Sequence, residues 1–365
     1  YEGCGAGSQS AGIIFGGALP SGNTAVTEEF NNTSWSITSP MSTARKTFGS
    51  ALNGTQQSSL VFANREASPS NATQNITEEY TYGTACISAW SAGGNLIAAR
   101  CAAGGAGTQN SALTFGGRPP DNNQTTEEYN GSTWAAGGAL ITGRMQLASL
   151  GTQNAALGAG GLPGSSCTEE YDGTSWTAGG ALSIAKCYLP GAGTQNAAII
   201  IGGLGGQTLT EEYNGTSWTA GGALSVGRYG LAAAGTQNAG LAFGGVSTKS
   251  CTEEYNGTNW SVASILVTGR QYFGGTGLQD TALAIGGSTP SITANTEEYD
   301  GTAWSSVTPL LGKVSTNTSA GDSSNGLSFG GYNGSVSAFT EEFTTNNQRG
   351  AGSKSFAASV VFETE

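Results

Sequence analysis

The chain has no histidine and few charged residues, and these absences exclude several classes of protein. Its 365 residues include 13 Lys and Arg, 25 Asp and Glu and no His, which gives a formal net charge of -12. Without imidazole there can be no Ser-His-Asp triad, no histidine general base and no His-bound metal. We therefore predict a protein that is not an enzyme, with no catalytic residue, no metal site and no cofactor.

The shortage of basic side chains also argues against nucleic-acid binding. Contacts to phosphate need Lys and Arg, and only 10% of the residues carry any charge. Apolar runs are short and broken by glycine, of which there are 60, so we expect no membrane insertion. The hydrophobic fraction of 37%, with seven Trp, is typical of a folded chain and not of a disordered one.

A repeated motif runs through the chain and determines its organisation. The motif is Thr-Glu-Glu followed by Tyr or Phe, and successive copies lie 42 to 50 residues apart. Its eight copies begin at Thr27, Thr77, Thr126, Thr168, Thr210, Thr252, Thr296 and Thr340. A Trp follows each of the first seven copies, at Trp35, Trp90, Trp134, Trp176, Trp218, Trp260 and Trp304. A basic residue such as Arg228 closes these seven repeats, nine or ten residues after the Trp.

Each repeat contains four candidate β-strands. A small apolar strand comes first, an apolar strand ending in Gly-Gly in seven of the eight copies comes second, and the strands with Thr-Glu-Glu and with Trp follow. Asn-Gly or Asp-Gly joins the last two strands in five copies, which is a strong hairpin signal because both turn residues need positive φ. Four strands with a period in the forties predict an all-β propeller of four-stranded antiparallel blades.

The order Gly-Gly, aromatic, Trp and basic residue resembles the kelch repeat over residues 1–343. The resemblance implies a kelch-like β-propeller with the first strand of each blade innermost. The repeat count favours eight blades, with seven as the alternative. The last repeat lacks a Trp strand, which the tail at 355–362 could supply. We expect one domain over residues 1–365, with blades at 1–45, 46–100, 101–144, 145–186, 187–228, 229–270, 271–313 and 314–365.

The repeated side chains are predicted to be structural. Neighbouring residues of a strand point to opposite faces, so two adjacent glutamates cannot converge on one substrate. We expect one glutamate of each pair to lie between blades, paired with the basic residue of a repeat, and the Trp side chains to pack between blades. The glutamates of the two most similar copies are Glu169, Glu170, Glu211 and Glu212.

The six cysteines leave the redox state open. Cys167 precedes a third strand and Cys187 follows the fourth strand of the same repeat, so adjacent antiparallel strands could bring the two together. This placement predicts a possible Cys167–Cys187 disulfide. The alternative is that all six cysteines are unpaired and act as small hydrophobic residues.

The loop between Gly-Gly and Thr-Glu-Glu varies most among the copies, and variable loops on a constant scaffold often carry recognition. Neutral variation of solvated loops is the alternative. Candidate binding residues in these loops are Asn23, Arg65, Arg118, Asn122, Asn123, Lys249 and Asn295.

Two non-enzymatic roles follow from the sequence. Strings such as Gly151-Thr152-Gln153-Asn154 in a Gly-, Ser-, Thr- and Asn-rich array resemble predicted structural proteins of aquatic tailed bacteriophages. This resemblance implies a virion protein, such as a tail fibre, adhesin or capsid-surface component, whose partners are other virion proteins or a host-surface glycan or protein. The alternative is a secreted or cell-surface bacterial binding protein. A homo-oligomer is compatible with both roles, and a polysaccharide-acting enzyme is the least favoured reading.

Overall fold

The fold is seen in a computed structural model that describes residues 4–8, 11–19, 22–30, 33–38, 45–46, 49–50, 58–66, 73–81, 87–119, 123–205, 207–246, 250–346 and 355–358. The chain forms two compact units. The first comprises Tyr1–Ile87 and Asn346–Glu365, and the second comprises Ser88–Thr345. Every regular element in the described residues is a β-strand or an isolated bridge.

The first unit contains two antiparallel sheets built from the first two repeats. One sheet has four strands in sequential order: β1 (Cys4–Ser8), β2 (Ala11–Leu19), β3 (Gly22–Phe30) and β4 (Trp35–Thr38). The other sheet draws on β5 (Arg45–Lys46), β6 (Gly49–Ser50), β7 (Ser58–Glu66) and β8 (Thr73–Thr81). In the first sheet, Trp35 stacks on Phe30 with ring centroids 5.2 Å apart and remains 47% exposed.

The second unit is a β-propeller of six four-stranded antiparallel blades. Its first strand, β9 (Ile87–Ala92), belongs to the last blade. Blade 1 contains β10 (Gly104–Thr108), β11 (Ser111–Phe115), β12 (Thr126–Tyr129) and β13 (Trp134–Gly137). Blade 2 contains β14 (Ala148–Thr152), β15 (Ala155–Ala159), β16 (Thr168–Tyr171) and β17 (Trp176–Ala178). Blade 3 contains β18 (Gly191–Thr194), β19 (Ala197–Ile201), β20 (Thr210–Tyr213) and β21 (Trp218–Ala220).

The remaining blades repeat this order, and the ring closes on itself. Blade 4 contains β22 (Ala232–Thr236), β23 (Ala239–Phe243), β24 (Thr252–Tyr255) and β25 (Trp260–Val262). Blade 5 contains β26 (Gly274–Gly277), β27 (Ala282–Ile285), β28 (Thr296–Tyr299) and β29 (Trp304–Val307). Blade 6 contains β30 (Thr318–Gly321), β31 (Asn325–Phe329) and β32 (Thr340–Asn346), with β9 as its outer strand. The first strands of blades 1 and 6 contact each other, so the ring is complete.

The prediction of eight blades, and of seven as the alternative, is therefore wrong. The first two repeats form the sheets of the other unit and contribute only β9 to the ring. The physical reason is that β9, which carries Trp90, supplies the fourth strand that the eighth repeat lacks, so six blades suffice for closure. The tail at 355–362, which could have supplied that strand, does not do so. Instead β33 (Ser355–Ala358) pairs with β8, where Phe356 lies opposite Tyr80.

Local sequence explains the blade architecture. The predicted hairpin forms, but its turn is not the two-residue type in which both central residues have positive φ. The Gly of each Asn-Gly or Asp-Gly pair has φ between 84° and 89°, whereas the preceding Asn or Asp does not have a positive φ. The loop has four residues, since Tyr129 pairs with Trp134. The innermost strands carry Gly, Ala, Ser and Thr, apart from Leu150 in β14, because six strands crowd around one axis. Larger apolar residues of the second strands form the packing between blades, and Leu113, Leu157, Ile199, Leu241, Leu283 and Leu327 are fully buried.

Candidate functional site

The paired glutamates face opposite neighbours, as the alternation of a strand requires. The first glutamate points to the preceding blade, so Glu169 of blade 2 lies 2.9 Å from Arg144, which follows blade 1. The second points to the following blade, so Glu170 accepts a hydrogen bond of 2.6 Å from the Tyr213 hydroxyl of blade 3. Both carboxylates are therefore held in contacts between blades.

The basic residue that ends a repeat pairs with the first glutamate of the next blade at five of the six interfaces. The pairs are Arg100–Glu127, Arg144–Glu169, Lys186–Glu211, Arg228–Glu253 and Arg270–Glu297. The arginine guanidinium groups also donate to two or three backbone carbonyls, and all five pairs are buried. Burial outweighs the attraction of the carboxylate in lowering the pKa of Arg100, Arg144 and Arg270.

Tryptophan provides a second contact at all six interfaces. Each indole Nε1 donates to the threonine hydroxyl of the preceding blade's Thr-Glu-Glu segment at 2.9–3.2 Å. The pairs are Trp90–Thr296, Trp134–Thr340, Trp176–Thr126, Trp218–Thr168, Trp260–Thr210 and Trp304–Thr252. We predicted structural roles for the Trp, Glu and Arg side chains of the repeat. These side chains lie between blades, apart from Trp35, which belongs to the other unit.

A third contact involves glutamine and was not anticipated from the sequence. Gln195 of the Gly-Thr-Gln-Asn turn donates its amide to the carbonyls of Ala156 and Tyr171 in the preceding blade, at 3.0 and 2.8 Å. Equivalent bonds are made by Gln109, Gln153, Gln237 and Gln279. The sequence does contain a signal for this contact, because a Gln recurs at the same place after the first strand of the blade.

The central axis opens at one face of the propeller, where one residue from each blade forms a closed ring. Backbone N–H groups donate to the carbonyl of the preceding member at 2.7–3.1 Å all the way round. The six members are Ala102, Gln146, Tyr188, Gly230, Tyr272 and Thr316, and all have φ between 49° and 61°. Five are not glycine, and residues with a side chain rarely adopt this conformation, so the ring holds these five in a strained geometry around the axis.

Three tyrosines lie together at this axial mouth. The ring centroids of Tyr188, Tyr229 and Tyr272 are 5.9–6.5 Å apart, and all three side chains are half-buried. Burial, together with the neighbouring hydroxyls of Tyr229 and Tyr188, raises the pKa of Tyr272 to about 12. The Tyr272 phenol is therefore a neutral hydrogen-bonding group at physiological pH.

The axial mouth also holds polar atoms without a partner. It is a cavity of about 110 Å³ lined by Gln146, Tyr188, Tyr272, Thr316, Asn317 and neighbouring Ala, Gly, Leu and Phe residues. Three of these lining residues carry a buried side-chain oxygen, Gln146 Oε1, Thr316 Oγ1 and Asn317 Oδ1, that accepts no hydrogen bond from the described part of the chain. No charged side chain lines the cavity. The mouth thus combines aromatic surface with neutral hydrogen-bonding groups, which suits an uncharged polar ligand.

The predicted loop residues do not converge on this mouth as a group. Arg118 and Asn295 are exposed, and Asn123 is buried with its Oδ1 accepting from the Thr125 amide at 2.9 Å. Asn23 and Arg65 lie in β3 and β7 of the other unit, where their side chains are not described. Asn122 and Lys249 lie outside the described residues.

The Cys167–Cys187 disulfide is not formed. Cys167 is an exposed free thiol directly before β16, and Cys187 is a buried free thiol. The Cys187 carbonyl accepts from the Leu204 amide of blade 3, because the segment after β17 crosses to the next blade. Burial raises the pKa of the Cys187 thiol.

The described residues contain no cluster of three or more His, Cys, Asp or Glu that could hold a metal ion. Within the same part of the chain, no helix has the length and apolar character needed to cross a membrane.

A scan against models of protein families finds no match, and a search of curated proteins finds none either. The β-propeller of four-stranded antiparallel blades is consistent with a kelch-like repeat.

Proposed function

We propose that this chain is a non-catalytic recognition protein whose propeller binds a neutral, polyhydroxylated ligand, such as a cell-surface glycan, at the axial mouth. The observation that carries the proposal is the tyrosine cluster beside three unpartnered polar atoms in one cavity. Sugars stack their apolar faces on aromatic rings and use their hydroxyls to satisfy buried amides and hydroxyl groups. A non-catalytic role also agrees with the use of the paired glutamates in contacts between blades.

The experiment is a glycan array with the purified chain, followed by titration of any ligand that binds. Tyr188→Ala and Tyr272→Ala should each weaken binding by about tenfold or more, since stacking on one ring contributes roughly 1–3 kcal/mol in comparable recognition. Tyr332→Ala is the matched control, because Tyr332 is an exposed tyrosine that does not line the axial mouth. Equal losses for all three variants, or binding by none of the arrayed glycans, would count against the proposal.

We further propose that this recognition takes place on a bacteriophage virion, where the chain serves as a tail-fibre, adhesin or capsid-surface component. The support is the sequence resemblance of its Gly-Thr-Gln-Asn and Glu-Glu-Tyr strings to predicted phage structural proteins. The alternative is a secreted or cell-surface protein of a bacterium. Mass spectrometry of purified phage particles, compared with culture supernatant and washed cells, separates the two. Detection only in uninfected cells would refute the virion assignment.

A further inference from the structure

The interface between blades 5 and 6 lacks the basic residue that the other five interfaces contain. Val314 stands ten residues after Trp304, at the place that Arg144 occupies ten residues after Trp134. The backbone is equivalent, because the Val314 carbonyl accepts from the Gly287 amide at 2.7 Å and the Arg144 carbonyl accepts from Gly117 at 3.0 Å. The neighbouring Lys313 is exposed and forms no salt bridge with any residue that the structure describes.

The acid that would pair with this missing base is still present. Glu341 is only 6% exposed, and its Oε2 accepts from the Leu311 amide at 2.7 Å. Its counterpart Glu169 accepts from the Ile141 amide at the same distance and also contacts Arg144. Glu341 is thus held in the orientation used elsewhere, without a cation. Burial raises the pKa of its carboxyl group, which reflects the cost of an unpaired charge there.

A cavity of about 200 Å³ replaces the arginine side chain. Its lining includes Glu341 together with Ser328, Gly330 and Phe339. These three residues correspond in the repeat to Gly158, Gly160 and Cys167, whose carbonyls accept from the Arg144 guanidinium at 3.3, 3.4 and 2.8 Å. The exposed side chains of Leu311 and Phe339 lie at its rim. The empty site therefore retains the acceptors that bind a guanidinium group in the neighbouring blades.

We propose that this cavity is a binding site for an alkylguanidinium group supplied from outside the propeller. The group would donate to the Glu341 carboxylate and to the carbonyls of Ser328, Gly330 and Phe339, as arginine does within the chain. A planar guanidinium matches such a carboxylate and carbonyl set better than an ammonium ion does. The ligand is either a free alkylguanidinium compound or the arginine side chain of another protein, and both present the same chemistry. The volume suits a fragment of this size and not a large ligand.

The test is isothermal titration calorimetry of the full chain with methylguanidinium chloride at constant ionic strength. Binding should be saturable with one site, weaker for methylammonium and not detectable for tetramethylammonium, which cannot donate a hydrogen bond. Glu341→Gln should weaken methylguanidinium binding by about 10- to 100-fold, since a charge-assisted hydrogen bond is lost. Asp280→Asn is the matched control, because it removes the same charge from an exposed acid of blade 5.

Val314→Arg is the decisive variant, because it fills the cavity with the chain's own guanidinium group. It should abolish methylguanidinium binding and raise the melting temperature, which also shows that the variant folds. Lys313→Ala removes a like charge from the rim and should tighten binding. Equal binding of methylguanidinium to the wild type and Val314→Arg would overturn the proposal. Binding no tighter than that of tetramethylammonium would also overturn it.

The two sources of the ligand are distinguished by a second titration with capped Gly-Arg-Gly and Gly-Lys-Gly peptides. Binding of the arginine peptide at least as tight as that of methylguanidinium assigns the site to a partner protein. Binding of methylguanidinium alone assigns it to a small free compound, because the rim then excludes a peptide backbone. The site is separate from the axial mouth, so Tyr272→Ala should leave both titrations unchanged.

Discussion

Replacing one interblade arginine by valine should reproduce, at an intact interface, the condition found between blades 5 and 6. Arg228 and Glu253 are both fully buried and lie 2.9 Å apart. The arginine also donates to the carbonyls of Cys251, Ala242 and Gly244 at 2.8, 3.3 and 3.4 Å. Arg228→Val removes all four interactions and leaves the Glu253 carboxylate with the Ser225 amide alone, at 2.8 Å.

The expected cost follows from the loss of one member of a buried ion pair. Such a change destabilises a protein by about 3–5 kcal/mol, because the remaining charge is buried without compensation. For a propeller of this size, that corresponds to a fall in melting temperature of about 6–20 °C. Thermal unfolding followed by near-ultraviolet circular dichroism and Trp fluorescence measures the change.

Arg228→Lys is the matched control, because the chain already contains a lysine at one equivalent position. Lys186 Nζ lies 2.6 Å from Glu211 Oε1 and, among the described residues, donates to no backbone carbonyl. Lysine should therefore keep the charge pair and lose the carbonyl contacts, at a cost of about 1–3 kcal/mol. A loss below about 1 kcal/mol for Arg228→Val, or equal losses for both variants, would refute the reasoning.

Three further predictions concern other contacts between blades. Tyr171→Phe removes the hydrogen bond to Glu128 and should destabilise the propeller by about 1.5–3 kcal/mol, measured by urea unfolding. Burial and the glutamate contact raise the pKa of Tyr129 and Tyr171 from 10.0 to about 12. Stability should therefore hold below pH 10 and fall between pH 10 and 12, where the unfolded chain loses these protons first; a flat urea midpoint over that range would contradict this. Because burial raises the carboxyl pKa of Glu341, its contribution to stability should fall as the pH rises above about 4.5. Val314→Arg should remove that contribution and keep the one from Glu298, whose pKa burial also raises; parallel pH profiles of the two proteins would contradict this.

The sequence was sufficient to predict the blade and the opposed roles of its carboxylates. Period-2 alternation in Thr-Glu-Glu-Tyr places the two glutamates on opposite faces of the sheet. The Asn-Gly and Asp-Gly pairs predict the hairpin that joins the third and fourth strands of a blade. These are local properties, and each repeat specifies them with its own residues. For the same reason, the small innermost strands could be recognised from composition alone.

The number of blades could not be obtained by counting repeats, because closure depends on which strands meet in space. The sequence did contain a signal, since Trp90 follows Tyr80 by ten residues whereas Trp134 follows Tyr129 by five. The five extra residues replace the Asn-Gly hairpin that would have tied the Trp strand to its own repeat. That strand is β9, which pairs in the last blade instead, and the ring closes after six blades.

The candidate site was missed for a different reason. Variation among loops directed attention to residues such as Asn123 and Asn295, whereas the axial mouth is built by residues that follow the basic position of each repeat. Their side chains meet only because six backbones form one hydrogen-bonded ring with positive φ. Residue type does not reveal this conformation, since Tyr188 and Tyr272 are unusual in it.

The departures from the repeat are concentrated at the interface between blades 5 and 6. Val314 replaces the base, Phe343 replaces the tyrosine that would donate to Glu298, and Ser323 replaces the glutamine. Trp90 keeps its bond to Thr296, and Ser88 and Thr308 add hydrogen bonds at the rim. Apolar packing of Trp90, Phe343 and Val314 with neighbouring residues holds the rest of the interface.

At this interface Glu341 is the residue that packing does not explain. Replacing both members of a buried ion pair by apolar residues is often neutral or stabilising, whereas removing only the base leaves the costlier state. The interface is apolar at the base and tyrosine positions, yet it keeps a buried carboxylate in its original orientation. An external guanidinium group would offset that cost, which is why Val314→Arg should both stabilise the propeller and block the ligand.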